Sequence, residues 1–329
     1  MDKLGVGVIG CGGMGLGHAR RLLRQEHATL VAVADVRQEA AARAGDELGV
    51  PADLDYESLL ARPDVQAVVV ATPNHTHRPV TLAAAAAGKH VFCEKPMART
   101  VRECDEMIAA AESAGVKLLV GQVLRLMPPF VRVREMVASG ELGRPVMVET
   151  CRLGWPAYAE PWRRQRDLVW GMLYESNVHE LDFMRAVCGE AAEVQAAVDT
   201  LARKDFEYED TALVTIRFQS GALGLLRASY CSAVPATDGR IMCEKGAIAY
   251  DWAKRRIEYR LVGQEESTVL ELDAGQFEDA FSWEQRSFVE WVLFDRPPVV
   301  TAWDGRAAIE LCEAAYLSAE RRAPVRLPL

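Results

Sequence analysis

The chain has 329 residues, beyond the roughly 250–300 at which one hydrophobic core stops growing, so two domains are expected. A formal net charge of −9, with acidic and basic residues interleaved, leaves no basic stripe for nucleic acid and disfavours a polyanion partner. Half of the residues are hydrophobic, yet no apolar run approaches the ~18 residues of a membrane span. The 8 cysteines form no Cys-x-x-Cys pair, which suits neither a zinc site nor a disulfide framework and fits a reducing, cytoplasmic setting.

From residue 4 to about 120, short apolar runs alternate with longer amphipathic ones. Residues 5–9, 30–34, 67–71, 90–93 and 117–120 read as strands buried on both faces, as in a parallel sheet. Between them, 14–25, 38–48, 80–87 and 101–113 read as helices, giving a doubly wound α/β domain over residues 1–123. Pro128-Pro129 opens a further helix through 136, and another is expected over 177–187. Alternating segments at 192–198, 211–218, 222–229, 241–250 and 268–272 then predict a half-exposed antiparallel sheet. With closing helices at 277–294 and 304–321, residues 124–329 form an α+β domain built on an open, mostly antiparallel sheet. One face of that sheet is free for substrate or for a second subunit.

Gly10, Gly12 and Gly15 stand in G-x-G-x-x-G spacing, directly after a strand and before a helix, with Gly13 and Met14 in the same loop. The first glycine permits the turn, the second lets backbone approach a pyrophosphate, and the third lets helix pack on strand. Asp35 closes the second strand, 20 residues past Gly15, where a carboxylate would bind ribose hydroxyls and repel a 2′-phosphate. NAD is therefore favoured. Arg37 keeps NADP possible, since a guanidinium tolerates a phosphate, although an exposed helix-start cation is the plainer reading.

Thr72-Pro73-Asn74-His75-Thr76-His77 follows another strand, where Thr72, Pro73, Asn74 and His77 can line a nicotinamide pocket, or Asn74 or Thr76 can cap the next helix. Glu94-Lys95-Pro96 ends the strand after that. Lys95 suits stabilisation of an alkoxide, or is a solvated loop lysine. Glu175, His179 and Asp182 share one face of a helix if that segment is helical, and a carboxylate beside an imidazole makes a general base. Alternatively Asn177 and Glu180 resemble a helix cap that leaves Glu175 outside, and Asp182 pairs with Arg185. Trp155, Tyr158 and Trp162, with Arg163 and Arg164, suit the C–H faces of a sugar or simply a packed core.

Taken together, these motifs resemble the Gfo/Idh/MocA oxidoreductases, named for glucose–fructose oxidoreductase and inositol dehydrogenase. The resemblance rests on the glycine loop, Ala71-Thr72-Pro73-Asn74-x-x-His77, Gly88-Lys89-His90-Val91-x-Cys93-Glu94-Lys95-Pro96, Arg125 with Pro128, Asn177-x-His179-x-x-Asp182, and the closing Asp304-Gly305-Arg306 to Leu327-Pro328-Leu329. It implies a Rossmann domain followed by an open-faced sheet domain, assembled through that sheet as a homodimer or homotetramer. It also implies a sugar or polyol substrate, with Lys95 holding the reacting hydroxyl and His179 as acid/base. Arg125, Trp162 and Asn177 join Lys95 and His179 as expected substrate contacts, and Glu94 and Lys95 join the cofactor contacts. Where the family has Asp-x-Gly-x-His, this chain has Glu175, Asn177 and His179, keeping only Gly171 of the glycines before it. Two other functions remain open: glycoside hydrolysis with an internally recycled NAD, and non-catalytic nucleotide sensing.

Overall fold

The computed structural model describes residues 3–158, 160–273 and 278–329. They form two compact units, 1–123 with 279–306, and 124–278 with 307–329.

In the first unit the chain alternates β1 (Leu4–Ile9), α1 (Gly13–Leu22), β2 (Ala28–Ala34), α2 (Gln38–Leu48), β3 (Ala52–Asp53), α3 (Tyr56–Leu60), β4 (Ala67–Val70), α4 (His77–Ala86), β5 (His90–Cys93), α5 (Val101–Ala114) and β6 (Leu118–Val120). The strands make a six-stranded parallel sheet in the order β3-β2-β1-β4-β5-β6. Chain order reverses between β1 and β4, so the crevice outside the carboxyl ends of these strands is where a ligand of such a sheet binds. β1 and β4 are buried along their whole length, which is why their sequences run without polar alternation. The short β3 and α3 escaped the sequence reading because neither carries a period long enough to register.

In the second unit come α6 (Pro128–Ala138), β7 (Pro145–Leu153), α7 (Arg166–Val169), α8 (Val178–Cys188), β8 (Ala191–Asp199), β9 (Thr211–Phe218), β10 (Leu223–Ser229), β11 (Asp238–Cys243), β12 (Gly246–Asp251), β13 (Arg256–Leu261) and β14 (Thr268–Glu271). The expected strand over 241–250 is two strands, β11 and β12, turning at Glu244-Lys245. A helix α9 (Ala280–Phe294) follows, then α10 (Ala302–Arg321) and β15 (Val325–Arg326). The start expected for the helix at 277 lies outside the described residues.

The second sheet has nine strands in the order β14-β13-β12-β11-β7-β10-β9-β8-β15, antiparallel except where β7 pairs with β10. Strict in–out alternation along β9 and β10 buries one face, on which α6 and α8 lie through Phe130, Phe183 and Tyr250. The fold class is the α/β Rossmann plus α+β arrangement expected. The unit boundary is not a single cut at 123/124, because residues 279–306 belong with the first unit. Phe288 and Val289 of α9 join the core beneath β1, β2 and α1, a partnership that the helical period alone does not reveal.

Candidate functional site

The glycine loop joins β1 to α1 at the carboxyl end of the parallel sheet. Gly10 has a φ of +100°, and a Cβ on it would run into the carbonyl of Ala71. A Cβ on Gly15 would strike the carbonyl oxygen of Gly10. These two glycines close the turn. Gly12 and Gly13, by contrast, have open space where a Cβ would stand, and α1 begins with no side-chain cap on its free N–H groups. That combination fits a pyrophosphate, with Met14 exposed at the first helical turn.

Asp35 lies just past β2. Its Oδ2 accepts the Cys11 N–H at 2.8 Å and its Oδ1 the Arg37 N–H at 2.8 Å. Burial raises its pKa, but the bonds from Arg37 and Cys11 outweigh that and hold the carboxyl below its ordinary range. The exposed Arg37 guanidinium folds back on the same carboxylate, at 3.2 Å. The Arg37 side chain thus occupies the carboxylate that was expected to meet a ribose.

After β4, Thr72 and Pro73 lead into a 3-10 turn, Asn74–Thr76, and α4 starts at His77. Thr76 makes no cap bond to α4: its Oγ1 donates within the turn, to the Pro73 carbonyl at 2.7 Å, while Asn74 is buried in that turn. His77, expected to contact cofactor, is 1 % exposed, with Nδ1 2.8 Å from the Pro96 carbonyl and Nε2 2.9 Å from the Thr72 carbonyl. It braces the loop after β4 against the loop after β5. Burial holds its pKa below the ordinary value, against the pull of the two carbonyls. Lys95 itself is half-buried at the end of β5. Glu94, expected at the cofactor, turns its carboxylate inward: Oε1 sits 2.7 Å from His18 Nε2 and Oε2 accepts the Lys95 N–H at 3.1 Å. Burial raises the Glu94 pKa, but His18 and the charge of Lys95 prevail and the carboxyl is pushed down.

In the second unit, α7 ends at Trp170 in the left-handed region, and Gly171 redirects the chain into a π-helical turn, Leu173–Asn177, that runs directly into α8. Glu209 and Tyr316 pin this start, accepting the N–H of Met172 at 2.7 Å and of Leu173 at 3.1 Å. Glu175 therefore lies inside the helical run, one turn before His179, and Asn177 caps nothing. His179 is 9 % exposed. Glu175 Oε1 accepts from Arg163 Nε at 2.8 Å and also from Nη2, a partner that sequence reading did not assign. Asn177 is buried, its amide donating to Glu180 at 3.3 Å while its Oδ1 has no partner among the described residues. Arg125, expected as a substrate contact, and Asp182, expected as a surface partner of Arg185, are bonded to each other. They form a buried bidentate salt bridge, Nε to Oδ2 at 2.6 Å and Nη2 to Oδ1 at 2.7 Å, while Arg185 pairs with Glu190 instead. Trp162 is half-buried under the Arg163 guanidinium.

Family models match in both halves: the oxidoreductase family with NAD-binding Rossmann fold over residues 4–122, and the Gfo/Idh/MocA C-terminal domain over 130–249. Myo-inositol 2-dehydrogenase of Thermotoga maritima is 33% identical, over 98% of each chain. The chain belongs to the Gfo/Idh/MocA oxidoreductase family. Among solved structures, the aldose-aldose oxidoreductase of Caulobacter crescentus, complexed with glycerol, matches at a TM-score of 0.90 and 31% identity, covering 99% of this chain and 100% of that one. GenD2 from gentamicin A biosynthesis, in complex with NAD, matches at 0.89 and 27%, covering 100% and 97%.

Membership makes this an NAD-dependent oxidoreductase, and the open space over Gly12 and Gly13 fits that cofactor. The side-chain contacts also show what sequence reasoning missed. A trio of hydroxyls, Tyr158, Ser176 and Tyr230, joins Tyr158 to Tyr230 at 3.0 Å and Ser176 to Tyr230 at 2.5 Å, in the turn that carries Glu175. Tyr230 lies beyond β10, and nothing local in the sequence links it to Ser176. Among the described residues no cluster of His, Cys, Asp or Glu could hold a metal ion, and no helix is long and apolar enough to cross a membrane.

Proposed function

We propose that this oxidoreductase oxidises, reversibly, a secondary hydroxyl of a sugar, glycoside or cyclitol. NAD⁺, when bound, supplies the hydride acceptor. Gly10, Gly12, Gly13, Met14 and Gly15 hold its pyrophosphate, Asp35 its adenosine ribose, and Thr72, Pro73, Asn74 and the Glu94-Lys95 loop flank its nicotinamide end. Lys95 holds the reacting hydroxyl oxygen and stabilises the alkoxide as it forms, while His179 takes the proton and Glu175 orients the imidazole. Asn177 and Trp162 contact the substrate.

The observation that carries this reading is the position of Lys95: half-buried, at the carboxyl end of β5, on the same edge of the sheet as the glycine loop. The name of the Thermotoga maritima relative makes myo-inositol the first substrate to try. Eight free cysteines, seven of them buried, support a reducing, cytoplasmic setting. Leu213, Leu223 and Val269, exposed on one face of the nine-stranded sheet, support assembly through that face as a homodimer or homotetramer.

The test is NAD⁺ reduction at 340 nm against a panel of cyclitols, sugars and glycosides. Accumulation of NADH with at least one of them supports the reading. Cleavage of a glycoside without net NADH points to hydrolysis, and NADH binding with no turnover of any compound overturns the assignment.

A further inference from the structure

His18 stands one helical turn past Gly15, on α1, and it is 1 % exposed. Its ring lies edge-on to Phe92 at 5.1 Å and to Phe281 at 6.4 Å, so it reaches no solvent and is not placed to touch a cofactor itself. Both ring nitrogens are nevertheless engaged. The Gln285 side-chain amide nitrogen, from α9, lies 2.7 Å from Nδ1 and 3.0 Å from the His18 carbonyl oxygen. An amide oxygen in that place would face another oxygen, so the NH2 group points there and donates to both. Nδ1 is then the acceptor. The ring proton sits on Nε2, from which it is donated to Glu94 Oε1 at 2.7 Å.

Glu94 carries this connection onward, because its second oxygen accepts the backbone N–H of Lys95. The chain of bonds runs from α9 to the helix behind the glycine loop, and from there to the residue on which the proposed chemistry depends. A buried polar network with defined donors and acceptors fixes geometry more tightly than apolar packing does, since each misplacement leaves a polar group unpaired. Glu284, next to Gln285, is also buried and neither carboxyl oxygen has a partner among the described residues, so the network does not use it as a link. The titratable and charged groups facing Glu94 are His18 on α1, His77 on α4, Lys95 beside it and Glu284 on α9.

We propose that His18 is a positioning residue: with its tautomer set by Gln285, it holds Glu94 so that the Lys95 loop is fixed relative to the dinucleotide loop. This rests on the reading of Lys95 given above. The test compares His18→Leu, His18→Gln, Gln285→Leu, Glu94→Gln and the double variant His18→Leu/Glu94→Gln in the full chain. Thermal melting checks folding, and backbone hydrogen exchange is followed in the peptide spanning Lys95. NADH affinity and turnover with myo-inositol, or with a panel compound that is turned over, complete the set.

In His18→Leu the Lys95 segment is expected to exchange about tenfold faster, with kcat down about 10–100-fold and NADH affinity changed by less than about threefold. His18→Gln, whose amide can still donate to Glu94, is expected to recover most of both. The double variant is expected to be no slower than Glu94→Gln alone, since the two residues act in series. Unchanged exchange at Lys95 in folded His18→Leu, or losses that multiply in the double variant, would overturn the proposal. If His18→Leu does not fold, Gln285→Leu carries the same test, and unchanged exchange there is equally fatal. Lys95→Met serves as the control. Should it retain turnover, the reading of Lys95 fails, whereas the positioning claim is still decided by the exchange data.

Discussion

Lys95 and His179 are held in place by different physics. Around Lys95 the work is done by backbone and by buried imidazoles: glycine turns, His77 set between two carbonyls, and His18 donating to a single carboxylate. Around His179 each acidic neighbour is gripped by an arginine from elsewhere in the unit: Glu175 by Arg163, Glu180 by Arg152 at 2.7 Å, and Asp182 by Arg125. The first arrangement tolerates little change of shape at its turn, because Gly10 and Gly15 have no room for a Cβ. The second tolerates shape but not loss of charge, because every removed arginine takes a guanidinium away from a buried carboxylate.

The sharpest break should come in the second arrangement. Arg125→Met takes the guanidinium away from the fully buried Asp182 and is expected to lose about 3–5 kcal/mol in urea unfolding. Arg125→Met/Asp182→Leu should regain most of that. A single variant with no measurable loss would show that the pair does not behave as a buried charge network.

Next in size is a contrast between two glycines three residues apart. Gly15→Ala forces a Cβ onto the Gly10 carbonyl and should cost about 2–3 kcal/mol of stability together with most NADH affinity. Gly12→Ala has open space and should keep its melting temperature while weakening NADH binding. If both variants lose stability equally, the division of the loop into turn-closing and cofactor-facing glycines is wrong.

Glu284 offers a pH-resolved version of the comparison, since it is the buried acid that neither arrangement pairs. Burial and the nearby charge of Glu94 raise its pKa well above the ordinary value. Whatever the protonated carboxyl contributes is fully present below the unfolded value of about 4.3, and it is lost as pH rises towards the raised folded value. Glu284→Gln removes that dependence. The variant should match wild type near pH 4.5 and exceed it by about 1–3 kcal/mol near pH 8, read from urea midpoints at the two pH values. An advantage that shrinks with pH would contradict the buried, protonated assignment. The smallest effect is expected at Arg37, whose exposed guanidinium competes for Asp35: Arg37→Ala should change stability by less than about 1 kcal/mol and leave NADH binding equal or slightly tighter in a fluorescence titration.

The same contrast explains what the sequence could reveal. The first unit's proposed site is written locally, in Gly10, Gly12 and Gly15, in Asp35 at a strand end, and in Lys95 at another, because parallel sheets gather their sites at strand ends. The continuation from the π-turn into α8 was partly legible from the spacing of Glu175, His179 and Asp182. Arg163, Arg152 and Arg125 were not legible as partners, since an ion pair across 12, 28 or 57 positions leaves no periodic trace. Nor was the return of α9 to the first unit, which brings Gln285 to His18 across 267 positions.

The account depends most on Lys95. Turnover and NADH affinity should be measured side by side in Lys95→Met, with kcat expected to fall at least about 1,000-fold while the dissociation constant for NADH stays within about threefold of wild type. A Lys95→Met protein that is folded, binds NADH and turns over at a near-normal rate would contradict it.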